Sequence, residues 1–337
     1  MQLEKPYLLF VGDAHDELAA KTAIGVLDWC AQDCIGQFKL PGCNAHLDIP
    51  SLSMQQAAEK GARTVIIGVA VRGGAIPQSW GQHLAGALRC GMSIANGLHT
   101  PLDSIAEVNE AAKSSSGNLF EIRKPDTAFE VGSGEKRSGL RLLTVGTDCS
   151  VGKMYTALAI AKQMRSRGMK VDFRATGQTG IFIAGSGVPV DAVVADFISG
   201  SIESLCPAAD DDHWDIVEGQ GSLHHPSFAG VSIGLMHGAQ PDALVLCHEP
   251  TRTNMRGLPH RSLPMIEDSI EMNLLCSRLV NPDVKFVGAS VNTKHLPESE
   301  RKAYLRNLGQ RIKLPCEDPF VTGVSGIVDQ VQSLFPS

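Results

Sequence analysis

Apolar residues come in short runs separated by glycine-rich turns and by segments of helical spacing, and the two kinds of segment alternate along most of the chain. Residues 7–11 and 64–71 form continuous apolar runs bounded by turn signals, the pattern of strands covered on both faces. Between and after them, apolar positions at helical spacing follow Asp16 and pass through Trp80, His83 and Leu88, before a short strand around residues 92–95. The pattern resumes with strand 140–145, a helix running to Arg167, and strand 169–175. A turn at Gly177-Gln178-Thr179-Gly180 and a helical stretch after Pro189 lead to the strand ending at Glu218. Helix 227–237, strand 243–247, helix 265–279 and strand 285–291 complete the series. Such alternation predicts parallel sheets with helices packed on both faces.

The series is interrupted once. Ser114-Ser115-Ser116-Gly117 and the polar, glycine-rich residues 132–139 flank a short strand-like segment at 119–123, which predicts a connector over residues 114–139. Residues 1–113 then read as a Rossmann-like α/β domain and residues 140–337 as a second, doubly wound domain. Gly12 stands alone after the first strand and completes no dinucleotide fingerprint, and the Gly73-Gly74 pair reads first as a plain βα turn.

The second domain opens on the most informative stretch. Strand 140–145 runs into Gly146-Thr147-Asp148-Cys149-Ser150-Val151-Gly152-Lys153, and a helix follows. Backbone N–H groups in such a loop converge on an anion, the helix N-terminus adds partial positive charge, and a lysine supplies a mobile ammonium to the outer phosphates. The usual motif places Ser or Thr after the lysine to hold Mg²⁺; here that position is Met154. All eight loop residues are therefore candidates for binding a phosphate-bearing cofactor, and Mg²⁺ is not expected. A second segment, Asp215-Ile216-Val217-Glu218-Gly219-Gln220-Gly221, ends a short strand on a carboxylate and two glycines. In an open parallel sheet the ligand crevice lies at the carboxyl ends of the strands, which would bring Lys153, Gln178, Glu218, His248 and Asn292 together.

These two segments resemble the GTDT-x-VGKT loop and the VEG-x-G strand end of dethiobiotin synthetase and its P-loop relatives. Gly146, Thr147, Asp148, Val151, Gly152, Lys153, Glu218, Gly219 and Gly221 match, whereas Met154 departs. By that resemblance Asn292 lies at the base-contacting corner of the nucleotide site.

Composition narrows the class of partner. The chain has 337 residues, 43% of them hydrophobic, 20% charged and 5% aromatic, with 34 glycines, as suits an α/β protein with many tight turns. The formal net charge of -6 gives no electrostatic reason to expect nucleic acid or an anionic membrane as partner. No apolar run approaches the roughly 18 residues of a spanning helix, and the first residues lack the regions of a signal peptide, so a cytoplasmic location is expected. Nine cysteines without a Cys-x-x-Cys pair predict neither a disulfide framework nor a metal site. Cys149 differs from the rest because the helix N-terminus beside it could lower its pKa.

Three further groups complete the candidate chemistry. Glu218, His224 and His248 are candidates for proton transfer, and for His224 and His225 alike a loop pair that caps the following helix is an equal reading. Arg252 and Arg256, beyond strand 243–247, suit capture of carboxylates, and Gln178 stands where close glycines admit a ligand. Taken with the N-terminal unit and the His248-Glu249-Pro250-Thr251-Arg252 loop, these motifs identify the chain as resembling the bacterial D-glutamate N-acetyltransferase (DgcN) family over nearly its whole length. The resemblance implies acetyl transfer from acetyl-CoA to the amine of D-glutamate; for that chemistry, position in the sequence assigns Glu218 or His224 as base and Arg252 or Arg256 as carboxylate clamp. It implies a small-molecule substrate, and a homo-oligomer is the expected assembly. Two alternatives stay open on the residues alone: an ATP-dependent ligase or kinase of the dethiobiotin synthetase type, and a nucleotide-sensing protein without turnover.

Overall fold

The structure is a computed structural model describing residues 3–71, 74–124 and 128–336, so Gly73 lies outside the described residues. The chain divides into two compact units, Met1–Thr127 with Gln178–Ala192, and Ala128–Gly177 with Val193–Ser337.

In the first unit β1 (Tyr7–Gly12), α1 (Lys21–Cys30), β2 (Cys34–Lys39), α2 (Met54–Glu59) and β3 (Thr64–Ile67) are followed by α3 (Gly81–Arg89), β4 (Ser93–Asn96), α4 (Ala106–Ala112) and β5 (Leu119–Glu121). The strands form one parallel sheet in the order β2-β1-β3-β4-β5. β1 and β3 are buried along their whole length, as their unbroken apolar runs require. β2 is an edge strand, half-buried apart from Gly36 and Gln37, and this mixed pattern gives it no clear signal in the sequence. β5 pairs with β4, so the segment expected inside the connector is an edge strand of this sheet. Trp80 packs on Phe10 with ring centroids 5.0 Å apart and donates from Nε1 to Asp13 Oδ1 at 3.0 Å. A Cβ on Gly12, whose φ is +56°, would lie 2.9 Å from the Trp80 ring, so glycine is required both by conformation and by packing.

The second unit begins with β6 (Leu140–Gly146), α5 (Lys153–Ser166) and β7 (Lys170–Arg174). The chain then enters the first unit as α6 (Gln178–Ala184), which packs on α1, and returns for α7 (Ile198–Leu205), β8 (His213–Val217), α8 (Ala229–Ala239) and β9 (Ala243–His248). A small antiparallel hairpin, β10 (Asn254–Met255) and β11 (Leu258–Ser262), precedes α9 (Ile266–Arg278) and β12 (Lys285–Val291). α10 (Glu298–Ile312), β13 (Cys316–Glu317) and α11 (Ser325–Leu334) close the chain. The sheet order is β13-β12-β9-β6-β8-β7, every pair parallel. One core layer joins Ala157, Ile160, Ala161 and Met164 of α5 and Ile327, Val328 and Val331 of α11 to Leu142, Ile216, Val245 and Val287 of the strands. With β6 central, the loops after β6, β8, β9 and β12 gather at the carboxyl edge of the sheet, where the sequence places its candidate groups.

The turn expected at residues 177–180 is the start of α6, and it carries Gln178 into the first unit. There Gln178 lies against Gly97, where a Cβ would approach its Oε1 to 2.4 Å, and its Nε2 is 3.4 Å from Thr22 Oγ1.

Candidate active site

The loop after β6 is held by its own backbone geometry. Ser150 (φ +54°) and Gly152 (φ +102°) adopt left-handed conformations, the kind of backbone from which anion-accepting nests are built, ahead of α5. Lys153, the first residue of α5, is buried and folds back to donate from Nζ to the carbonyl of Asp148 at 2.9 Å. Burial holds its ammonium below the usual lysine range, while Cys149, Cys247 and Asp148 pull the other way. Cys149 does not behave as its place in the loop suggested: burial pushes its thiol up, and this outweighs Lys153, Arg256 and Arg252.

Asp148 is fully buried and organises the loop from within. Its Oδ2 accepts from Arg252 Nη1 at 2.8 Å and from the Arg256 backbone N–H at 2.7 Å, while Oδ1 has no partner among the described residues. Arg252 also donates to the carbonyls of Cys149 (2.7 Å) and Ser150 (3.2 Å), and its Nε lies 3.5 Å from Glu249. Its donors are thus committed to the loop, and its place is that of a loop clamp. The Arg256 guanidinium is freer, touching the Ser150 hydroxyl through Nη1.

Glu218, just past β8, is buried at 4% exposure. Its Oε2 accepts from the N–H groups of Thr176 (3.0 Å) and Gly177 (3.1 Å), and its Oε1 from Gln220 Nε2 (3.1 Å). Burial nevertheless pushes its carboxyl up to about 7, against those three donors and Lys153. A carboxyl poised there changes protonation near neutrality, as a general base requires. Gly219 gives Lys153 its path: a Cβ on that glycine would meet the Thr144 carbonyl at 1.6 Å and the Lys153 stem at 3.2 Å.

The histidines separate. His248, ending β9, bonds through Nδ1 to Thr147 Oγ1 at 3.1 Å, and burial pushes its pKa down to about 4, so it is neutral at physiological pH. His224 has a buried Nε2 without a partner among the described residues, and its charged surroundings are Asp268 and Arg261. His225, which sequence reasoning did not select, is the one beside the loop: it can offer a ring nitrogen within 4.8 Å of atoms of Asp148 and Cys149. Both ring nitrogens are engaged, Nδ1 by the Ser227 N–H at 3.2 Å and Nε2 by the Arg256 carbonyl at 3.1 Å. The paired histidines were the available signal, but nothing in the sequence says which of two neighbours turns inward. Asn292 sits at the end of β12, its N–H on the His248 carbonyl at 2.8 Å and its Oδ1 accepting from Lys294 N–H at 3.1 Å. Near it Thr293 is anchored by Asp318, and Tyr155 packs on the exposed Phe320 at 5.2 Å between centroids.

Residues 130–328 match a family described as a domain of unknown function, DUF1611_C, a P-loop domain, and residues 38–125 match its N-terminal partner DUF1611_N, a Rossmann-like domain. The chain belongs to the DUF1611 family. It is also similar over nearly its whole length to two D-glutamate N-acetyltransferases. That of Tritonibacter scottomollicae is 51% identical over 332 residues, covering 98% of this chain and 100% of the relative. That of a Pseudoalteromonas species is 50% identical over 328 residues, covering 97% and 99%. A crystal structure of a DUF1611 family protein from Anabaena variabilis ATCC 29413 shares the fold with a TM-score of 0.88 at 30% identity, covering 98% of this chain and 100% of that one. The expected resemblance to the D-glutamate N-acetyltransferases and the expected pairing of Rossmann-like and P-loop parallel-sheet domains are therefore both borne out.

Proposed function

We propose that this chain transfers the acetyl group of acetyl-CoA to the amine of D-glutamate. The observation that carries the reading is the phosphate nest with Lys153 beside Glu218, a carboxyl pushed up to about 7. The two relatives at 50% and 51% identity support the choice of donor and acceptor. Residues 146–153 and Lys153 would hold the phosphates of CoA, and Asn292 would border the base. The amine of D-glutamate attacks the thioester carbonyl after losing a proton to Glu218, the C–S bond breaks, and the proton returns to the departing thiolate. Arg256 is the better placed of the two arginines to meet a substrate carboxylate, since Arg252 is bound to Asp148 and the loop carbonyls.

The reaction on this reading needs no Mg²⁺. Met154 offers no side-chain oxygen to so hard a cation, and one of the two Asp148 oxygens already carries the Arg252 guanidinium. A cytoplasmic place of action belongs to the same proposal: all nine cysteines are unpaired, as suits a reducing compartment, and among the described residues no helix is long and apolar enough to cross a membrane. Thiol release from acetyl-CoA with D-glutamate, checked by product mass, tests the activity. Mg²⁺-dependent release of phosphate from ATP in place of acetyl transfer would favour a ligase or kinase instead.

A further inference from the structure

Helix α9 carries apolar residues on two faces: Ile266, Ile270 and Leu274 are buried or half-buried, and a second set points outward. Of its four buried residues, Ile266, Ser269, Asn273 and Ser277, three are polar. The hydroxyls of Ser269 and Ser277 find no partner among the described residues. Its outward positions include Met272, Leu275 and, just past its end, Leu279, which are 43%, 53% and 75% exposed, with Met265 at the N-cap 60% exposed. A surface helix of a self-sufficient domain places its apolar stripe on the core.

The exposed positions also have a register. Residues 265, 268, 272, 275 and 279 follow one another at steps of three and four, the a and d positions of a heptad, with the exposed Asp268 as the polar member. On that register Glu271 and Arg278 are both g positions, and both are exposed. When two such helices pack antiparallel, an a residue meets a d residue of the other helix, and g faces g. Met272 then meets Leu275 of the other copy, Asp268 meets Leu279 at the rim, and Glu271 faces Arg278 twice, once on each side of the two-fold axis. A parallel pairing forfeits this, because it sets neither Glu271 nor Arg278 opposite its complement.

We propose that a second copy of this chain covers α9, through an antiparallel two-fold pairing of α9 with itself. The charge pattern selects this occupant, since the helix is complementary to its own inverted copy. The surface is isologous, so the assembly closes at two chains across this face.

Light scattering coupled to size exclusion, with sedimentation velocity as a check on mass, tests the pairing on the full-length protein. The parent is expected to run as a dimer or a multiple of one, and Leu275→Glu should halve its mass while leaving the circular dichroism spectrum unchanged. Glu271→Arg and Arg278→Glu should each weaken the dimer at least tenfold, and the two together should restore it, because the pair is then complementary with its signs reversed. A monomeric parent at micromolar concentration overturns the proposal. So does a dimer that survives Leu275→Glu, or a double charge reversal no better than the single ones. The charge exchange guards against misreading a folding defect, since a damaged fold is not repaired by a second reversal.

Discussion

Replacing Glu218 by glutamine separates the burial of this carboxyl from the rest of the site. The folded-state value of about 7 lies above the ordinary 4.5, because burial outweighs the N–H groups of Thr176 and Gly177 and the Gln220 amide. A carboxyl raised in this way contributes stability that is fully present below about pH 4.5 and is lost as the pH rises through 7. At roughly 1.4 kcal/mol per pH unit the whole span is about 3 kcal/mol, most of it falling between about pH 5 and 8. Glutamine cannot ionise, and its carbonyl can still accept from Thr176 and Gly177 in place of Oε2. The difference in unfolding free energy between Glu218→Gln and the parent should therefore shift by roughly 2–3 kcal/mol in favour of the variant from about pH 5 to pH 8. Urea titrations at several pH values, followed by far-ultraviolet circular dichroism, report it. Acetyl transfer by the parent should rise with pH through about 7, and the variant should lose nearly all of it. A difference in stability that does not vary with pH would refute the burial argument, and full activity in the variant would remove Glu218 as the base.

Lys153→Ala should weaken acetyl-CoA binding, measured by calorimetry, by about 1.5–3 kcal/mol for each hydrogen bond to phosphate that the ammonium no longer makes; unchanged affinity would contradict the cradle. Arg252→Gln should destabilise the second unit by about 2 kcal/mol, because the buried Asp148 carboxylate then keeps only the Arg256 N–H as partner. Adding Asp148→Asn should recover much of that loss in chemical denaturation, and purely additive effects would mean that the pair is not coupled. Arg256→Gln should lower kcat/KM for D-glutamate far more than for a neutral D-amino acid, and an equal loss on both would place the substrate carboxylates elsewhere.

Strands announced themselves where both faces are covered: β1 and most of β9 are continuous apolar runs, β6 and β12 are apolar apart from Arg141 and Thr144 and from Lys285 and Ser290, and their parallel pairing follows from the helices between them. β2, β10, β11 and β13 were not legible, since half-buried or exposed strands carry mixed residues and are fixed by pairing with a neighbour. The return of α6 to the first unit was hidden because Gly177 and Gln178 read locally as another βα turn, and the compact unit to which a helix belongs is a tertiary property. At the site, residue types and spacing revealed the loop, Lys153 and Glu218, because anion cradles are a local backbone property. The role of Arg252 was beyond them: its partner Asp148 lies 104 positions away, and only packing shows that the arginine meets a buried carboxylate. The inward turn of His225 rather than His224 is likewise decided by the contacts of Arg256 and Ser227.

Incubating the purified protein with acetyl-CoA and D-glutamate in excess EDTA, while following free thiol and product mass together, separates metal-independent acetyl transfer from every other reading of the site. Stoichiometric release of CoA thiol and appearance of N-acetyl-D-glutamate are expected without added metal, at a rate that climbs through about pH 7 with the ionisation of Glu218. Folded protein that binds acetyl-CoA yet yields no acetylated D-glutamate, with or without Mg²⁺, would contradict the proposed acetyl transfer.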